Sequence, residues 1–318
     1  MKIYFNNESP KGAPVSINSG ASPGPKEFGF TPTQSIGVFD TNKIINKNLI
    51  KQRLSDISFL DRGFLYGDGV FETLRCYNGA PYALDKHLQR LNDSLNLLKI
   101  KLCLEQKEIE TIIYSLLKQN KLKSKDTHIV RIMVSRGTAL KRGLPFSFAT
   151  EPTLIITMDK YAPPPDSLYN EGVKVVSIKT PHSRLPIKAL SFLNNALAFN
   201  EAFSQGAYEG IFTDDNEIIE GSITNIVFLK GKKIFFMASS YALPGVTQDI
   251  LAIIGKQNGY KIEKATIKLN EINLFDSCVL TNSLIEILPV KQFNDVNFKI
   301  SDNVIELMNL YKTAIMEH

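Results

Sequence analysis

Three consecutive prolines, Pro163–Pro165 within Lys160–Ser167 (KYAPPPDS), set the first limit on how this chain folds. Each lacks a backbone N–H and has φ held near about −65°, so the run fits neither a helix interior nor a central strand. It reads as a short, stiff connector. It falls at the middle of 318 residues, and each half matches a typical domain of roughly 150 residues. The organisation expected is a smaller domain over 35–160, a linker over 161–168 and a larger domain over 169–318. Ahead of these, residues 1–34 form a Pro/Gly-rich extension. Residues 1–5 (MKIYF) read as a short strand. The stretch from Asn6 to Thr33 holds Pro10, Pro14, Pro23, Pro25 and Pro32, a composition that predicts a long loop.

Hydrophobic spacing supplies the elements. Val70–Tyr77 reads as a strand, Asn78-Gly79 as a tight turn and Pro81–Leu84 as the returning strand. Lys86–Leu98 places Leu88, Leu91, Leu95 and Leu98 on one helical face, and Glu105–Lys118 repeats the pattern. Thr127–Ser135 and Pro152–Met158 read as strands, giving an α+β first half. Beyond the linker, strands are expected at Gly172–Ile178, Gly210–Thr213, Asn225–Leu229, Lys233–Phe236 and Ser277–Leu280. Helices are expected at Ala189–Gln205, Val246–Gln257 and Val304–Met316. The second half is mixed α/β, and the chain as a whole falls in the α/β class.

Composition removes several functions. Thirty-seven basic against thirty-two acidic residues give +5. The lysines are scattered, whereas a nucleic-acid binder concentrates them on one face with aromatics between. A basic pocket for an anionic small molecule suits the same balance. Three cysteines, far apart and without CxxC, build neither a disulfide framework nor a thiolate zinc site. None of the four histidines has metal-ligand spacing, so no catalytic metal is expected. No apolar run approaches the roughly 20 residues that cross a bilayer, and the start carries no secretory leader pattern. A cytoplasmic protein without membrane partners is expected.

Five segments can carry chemistry. Asp61–Arg75 (DRGFLYGDGVFETLR) has Asp and Gly enough for a turn feeding a hairpin without any ligand, and its glycines follow neither dinucleotide nor Walker spacing. Lys188 in RLPIKALSFLNN has apolar flanks. It is either a snorkelling surface lysine or an amine whose proton affinity is lowered, as a Schiff-base lysine requires. Glu220 in IEGSITNIVF caps a turn or faces a cationic ligand atom. LPGVTQ opens a helix. There the N–H groups of Val246 and Thr247, with the Thr247 hydroxyl, either cup a phosphate or simply follow a Pro-Gly turn. The hydroxyls of LTNSLIEILPV hold phosphate or end a strand.

Taken together with Arg90 in KHLQRL, these pieces make an aldehyde-phosphate cofactor site. From about Ile57 to Leu310 the chain resembles the class IV aminotransferases, the fold type IV enzymes that use pyridoxal 5'-phosphate. The resemblance implies a D-amino acid aminotransferase-like fold. It implies Lys188 as Schiff-base and proton-shuttling residue and Glu220 as partner of the pyridine nitrogen. Arg90, Val246, Thr247 and Ser283 would bind the cofactor phosphate. Phe71, Arg136, Arg142 and Asn282 fall on the substrate side. Phe192, four residues after the lysine, stands near where several members have Tyr, which removes one contact to the cofactor's phenolic oxygen.

Within that family, TNSLIEILPV and SRGTALKRG are more similar to aminodeoxychorismate lyases than to the other branches. No Arg-x-His pair follows SRGT, unlike the D-amino acid enzymes. The expected partners are a small-molecule amino substrate and a second copy of the chain in a homodimer. A branched-chain transaminase is the alternative, followed by a D-amino acid transaminase and a protein that holds the cofactor without catalysis.

Overall fold

The computed structural model describes residues 2–6, 36–40, 57–119, 127–149, 151–179, 181–183 and 185–317. They fall into two compact units, Met1–Ala162 and Pro163–His318. Apart from 2–6, the Pro/Gly-rich extension lies outside the described residues.

Unit 1 contains β1 (Lys2–Asn6), β2 (Ile36–Asp40), α1 (Arg62–Tyr66), β3 (Gly69–Tyr77), β4 (Ala80–Pro81), α2 (Leu84–Leu97), α3 (Gln106–Gln119), β5 (His128–Ser135) and β6 (Thr153–Lys160). Its sheet runs β2-β1-β6-β5-β3-β4, with β1 and β6 parallel and the other pairs antiparallel. Asn78 and Gly79 both have positive φ, 50° and 82°, the conformation that two-residue hairpin loops with the sheet's own twist demand. The return strand is shorter than expected, because Pro81 has no N–H with which to prolong the ladder. The chain turns through Ala83 at φ 51° and starts α2 two residues early. Along β3, Val70, Glu72, Leu74 and Cys76 share one face by the two-residue period of a strand. All four are buried, and α2 packs on this strand.

Unit 2 contains α4 (Asp166–Glu171), β7 (Val173–Ile178), α5 (Leu193–Ser204), β8 (Glu209–Asp214), β9 (Glu217–Gly221), β10 (Asn225–Lys230), β11 (Lys233–Met237), α6 (Val246–Gln257), β12 (Lys261–Ala265), β13 (Ser277–Asn282), β14 (Glu286–Phe293), β15 (Val296–Asn297) and α7 (Asp302–Met316). The sheet order is β12-β11-β10-β13-β14-β7-β8-β9, with β15 beside β14. Val175, Ile211, Phe228, Leu280, Leu288 and Phe293 are at its main core. A smaller cluster joins Ala198 and Ala202 of α5 to Val176, Ile178 and Phe212.

Three differences from the sequence reading have local causes. β14 is absent from that reading because Pro289 argues against a central strand. Its parallel pairing with β7 begins only at Val290, so that ladder makes no demand on the proline. α5 starts at Leu193, not Ala189, leaving Lys188 in the irregular segment before it. Short strands β9 and β12 carry too few residues for their spacing to register. Among the described residues no helix is long and apolar enough to cross a membrane.

Candidate functional site

Unit 2 gathers its polar groups where β9, β10 and α6 begin or end. α6 opens at Val246 after Gly245, which has no side chain to cap it. The first N–H groups of any helix lack partners within the helix and form its positive end. Thr247, in that first turn, is 2% exposed, and its Oγ1 has no hydrogen-bond partner among the described residues. Thr281 at the end of β13 is fully buried, and its hydroxyl is equally unpartnered. β13 pairs with β10 so that Asn225 stands opposite Thr281. Asn225 in turn abuts the helix start, since a Cβ at Gly245 would collide with Asn225 Oδ1. Only glycine fits there, as close approach of backbone to side chain requires.

Glu220, on β9, connects to the same place. Its Oε2 accepts from Asn225 Nδ2 at 3.1 Å and from the Leu243 N–H at 2.9 Å. Its Oε1 lies 2.9 Å from His182 Nε2. Asn225 Nδ2 also donates to the Leu243 carbonyl at 2.8 Å. The carboxylate is thereby fixed to the chain that leads through Pro244 into α6.

The turn after Glu220 has its own supports. Glu209 Oε1 accepts from Ser222 Oγ at 2.6 Å and from the Ile223 N–H at 2.7 Å. Asn195 Nδ2 donates to the Ser222 carbonyl, and Asn282 Nδ2 to the Ile223 carbonyl. Burial pushes the Glu209 carboxyl up to about 7, although hydroxyl and amide donors pull the other way. Asn282 Oδ1 accepts from the Leu284 and Ile285 N–H groups and so shapes the turn that carries Ser283. Lys188 is half-buried, with Nζ 5.6 Å from the centre of the Phe192 ring.

Unit 1 holds the other four expected residues. Arg90 forks onto Glu72: Nε donates to Oε1 at 2.7 Å and Nη2 to Oε2 at 2.8 Å. His87 Nδ1 lies 2.8 Å from the same Oε2. Burial alone would raise Glu72, but the charge of Arg90 and hydrogen bonds from His87 and Arg90 outweigh it and hold the carboxyl at about 2. Phe71 is buried on β3 beneath the Arg131 guanidinium at 4.2 Å. Arg136 is also buried. Its Nε donates to Asp68, its Nη1 and Nη2 to the Lys99 and Leu98 carbonyls, and its guanidinium lies 3.6 Å from the Phe146 ring centre. Arg142 is exposed.

The structure thus joins Glu220, Val246 and Thr247 through Asn225, and Asn282 to the neighbouring turn. Asn225, His182 and Glu209, none of them anticipated for the site, make those connections. Glu72 carried a legible signal, a carboxylate in the buried register of β3, which demands a partner. The ensemble suits an anionic ligand that also carries a cationic atom. A helix N-terminus with a buried, unpartnered hydroxyl receives a phosphate, and a fixed carboxylate receives a ring cation.

The family model described as amino-transferase class IV matches residues 69–293. An aminodeoxychorismate lyase of Bacillus subtilis (strain 168) is 32% identical over 277 residues, covering 85% of this chain and 94% of that protein. A D-alanine aminotransferase of Listeria monocytogenes is 26% identical, covering 80% and 88%. The structure of a branched-chain aminotransferase from the archaeon Thermoproteus uzoniensis, solved with norvaline, matches with a TM-score of 0.76 at 19% identity. That match covers 85% of this chain and 93% of the other, and it shows a shared fold.

Proposed function

The chain belongs to the class IV aminotransferase family of pyridoxal-phosphate enzymes, and on that premise we propose that it is a 4-amino-4-deoxychorismate lyase, releasing pyruvate and 4-aminobenzoate. The observation that carries this reading is the 32% identity spread over 94% of a Bacillus subtilis lyase. The TNS segment at Thr281–Ser283 and the lack of an Arg-x-His pair after Gly137 support it.

When bound, pyridoxal phosphate supplies an aldehyde for the substrate amine and a ring that withdraws electrons from the amine-bearing carbon. Val246 and Thr247 would hold its phosphate at the start of α6, with Ser283 as a further contact; Arg90, which the resemblance also assigns to the phosphate, is held by Glu72 within unit 1. Glu220 favours a proton on the ring nitrogen, and its bonds to Asn225 and Leu243 keep it aimed. Lys188 would hold the cofactor through its aldehyde group. Freed, its amine would take the proton from the amine-bearing ring carbon; the bond between the ring and the enolpyruvyl oxygen would break, the enolpyruvate would take up a proton to become pyruvate, and the ring would be left aromatic. Phe71 and Asn282 shape the substrate side, and Arg142 pairs with a substrate carboxylate. Arg136, tied to Asp68, holds the segment that carries Arg142.

The test is pyruvate formation from 4-amino-4-deoxychorismate with no 2-keto acid added, beside the Lys188→Ala variant. A lyase turns over catalytically, and Lys188→Ala loses on the order of 10³-fold or more. No pyruvate, with rapid conversion of the cofactor to its amine form by L-leucine or L-glutamate, overturns the lyase reading in favour of a branched-chain transaminase.

A further inference from the structure

His182 has no role in the chemistry described so far, yet it makes a direct polar contact with Glu220. Its Nε2 lies 2.9 Å from Glu220 Oε1, with the two side chains only 7% and 10% exposed. Its other nitrogen, Nδ1, is buried and has no hydrogen-bond partner among the described residues. The ring meets Phe212 edge to face, with centroids 4.8 Å apart at 72°.

These observations select a tautomer. A carboxylate oxygen only accepts, so the contact at 2.9 Å requires the proton on Nε2. In the Nε2–H tautomer the imidazole holds the carboxylate without neutralising it. The bond fixes the direction of Glu220 Oε1. A carboxylate held in place beside the ring favours a proton on the cofactor's ring nitrogen.

We propose that His182 is a positioning residue for the cofactor: through Nε2–H it fixes Glu220 Oε1 and keeps the pyridine nitrogen protonated. The inference rests on Glu220 being the partner of that nitrogen. Asn225 and Leu243 secure the other carboxylate oxygen, so among the described residues His182 alone sets the direction of Oε1.

The experiment loads the apoprotein with pyridoxal phosphate labelled with ¹⁵N in the ring and records the bound resonance at fixed pH. His182→Phe keeps the ring volume and removes the donor. Its resonance should move toward the unprotonated position, the ratio of protonated to unprotonated nitrogen falling roughly tenfold, the size of one charge-assisted hydrogen bond. His182→Gln, whose amide reaches as far as Nε2, should restore the wild-type resonance. His182→Asn, which is too short, should behave like His182→Phe and replaces it if that variant does not fold. A merely space-filling histidine predicts the wild-type resonance in His182→Phe, and that result overturns the proposal. Glu220→Gln separates the two levels. If it moves the resonance and His182→Phe does not, only the histidine role falls. If Glu220→Gln leaves the resonance in place, the reading of Glu220 falls and takes the proposal with it.

Discussion

Glu72 and Glu209 are two carboxylates at almost the same depth, 1% and 0% exposed, and their environments are opposite. Unit 1 surrounds Glu72 with cations, and Arg90 and His87 hold it at about 2. Unit 2 offers Glu209 only hydroxyls and backbone amides, and burial pushes it up to about 7. The contrast extends beyond this pair. In unit 1, Asp68 joins Arg62 and Arg136, so buried charge is answered by buried charge. In unit 2, Thr247, Thr281 and His182 each keep a buried polar atom without a partner among the described residues. Around the start of α6, unit 2 leaves the buried hydroxyl of Thr247 unmatched among the described residues. Because a buried unmatched polar atom is unfavourable, a group left so in a folded chain points to a ligand that completes it.

The largest effect that would sharpen this contrast is in unit 1. Glu72→Gln leaves the Arg90 guanidinium opposite a neutral amide, and breaking a buried pair from one side costs about 3–5 kcal/mol. Urea unfolding should show that loss. Removing both charges, as Glu72→Gln with Arg90→Met, should recover most of it. A single-variant loss below about 1 kcal/mol, the range of a surface pair, would mean the network is not buried charge pairing at all.

The next effect is a pH dependence of opposite sign in the two units. Glu209 keeps its proton to higher pH folded than unfolded, where the ordinary value is 4.5. Stability therefore falls as pH rises from about 4.5 to about 7 and stays reduced above that, by up to roughly 3 kcal/mol. Glu72 is the reverse. Its contribution is complete above 4.5 and disappears as pH falls towards about 2. Unfolding measured across roughly pH 4–8 should therefore be flatter for Glu209→Gln than for the parent between 4.5 and about 7. Identical slopes would remove the contrast.

How much of this was legible in the sequence follows from the range of each interaction. α6 could be read to the residue, because Pro244-Gly245 and the apolar spacing after Val246 are local signals. The Asn78-Gly79 turn was legible for the same reason. β14 was hidden by Pro289, whose tolerance depends on where a neighbouring strand begins to pair. Among site residues, Thr247 and Glu220 carry recognisable local patterns. His182 does not, since its partner is 38 residues away and a lone histidine without metal spacing suggests nothing by itself. Asn225 read as the first residue of a strand. Its bridging of Glu220 to the start of α6 exists only once β9, β10 and the Leu243 turn have met.

The smallest expected effect is also the most direct test of the central claim, that unit 2 reserves its unmatched groups at α6 for the phosphate of a cofactor. Thr247→Val removes the buried hydroxyl and keeps the shape. Equilibrium binding of pyridoxal phosphate and of pyridoxal, which lacks the phosphate, should be measured on the apoprotein and this variant. The account predicts that Thr247→Val weakens pyridoxal phosphate by about 1–2 kcal/mol, the worth of one hydrogen bond to an anion. Pyridoxal affinity should be unchanged, and the apoprotein should be no less stable, because the deleted hydroxyl has no hydrogen bond there to lose. Equal loss for both ligands, or apoprotein stability reduced as much as binding, would contradict it.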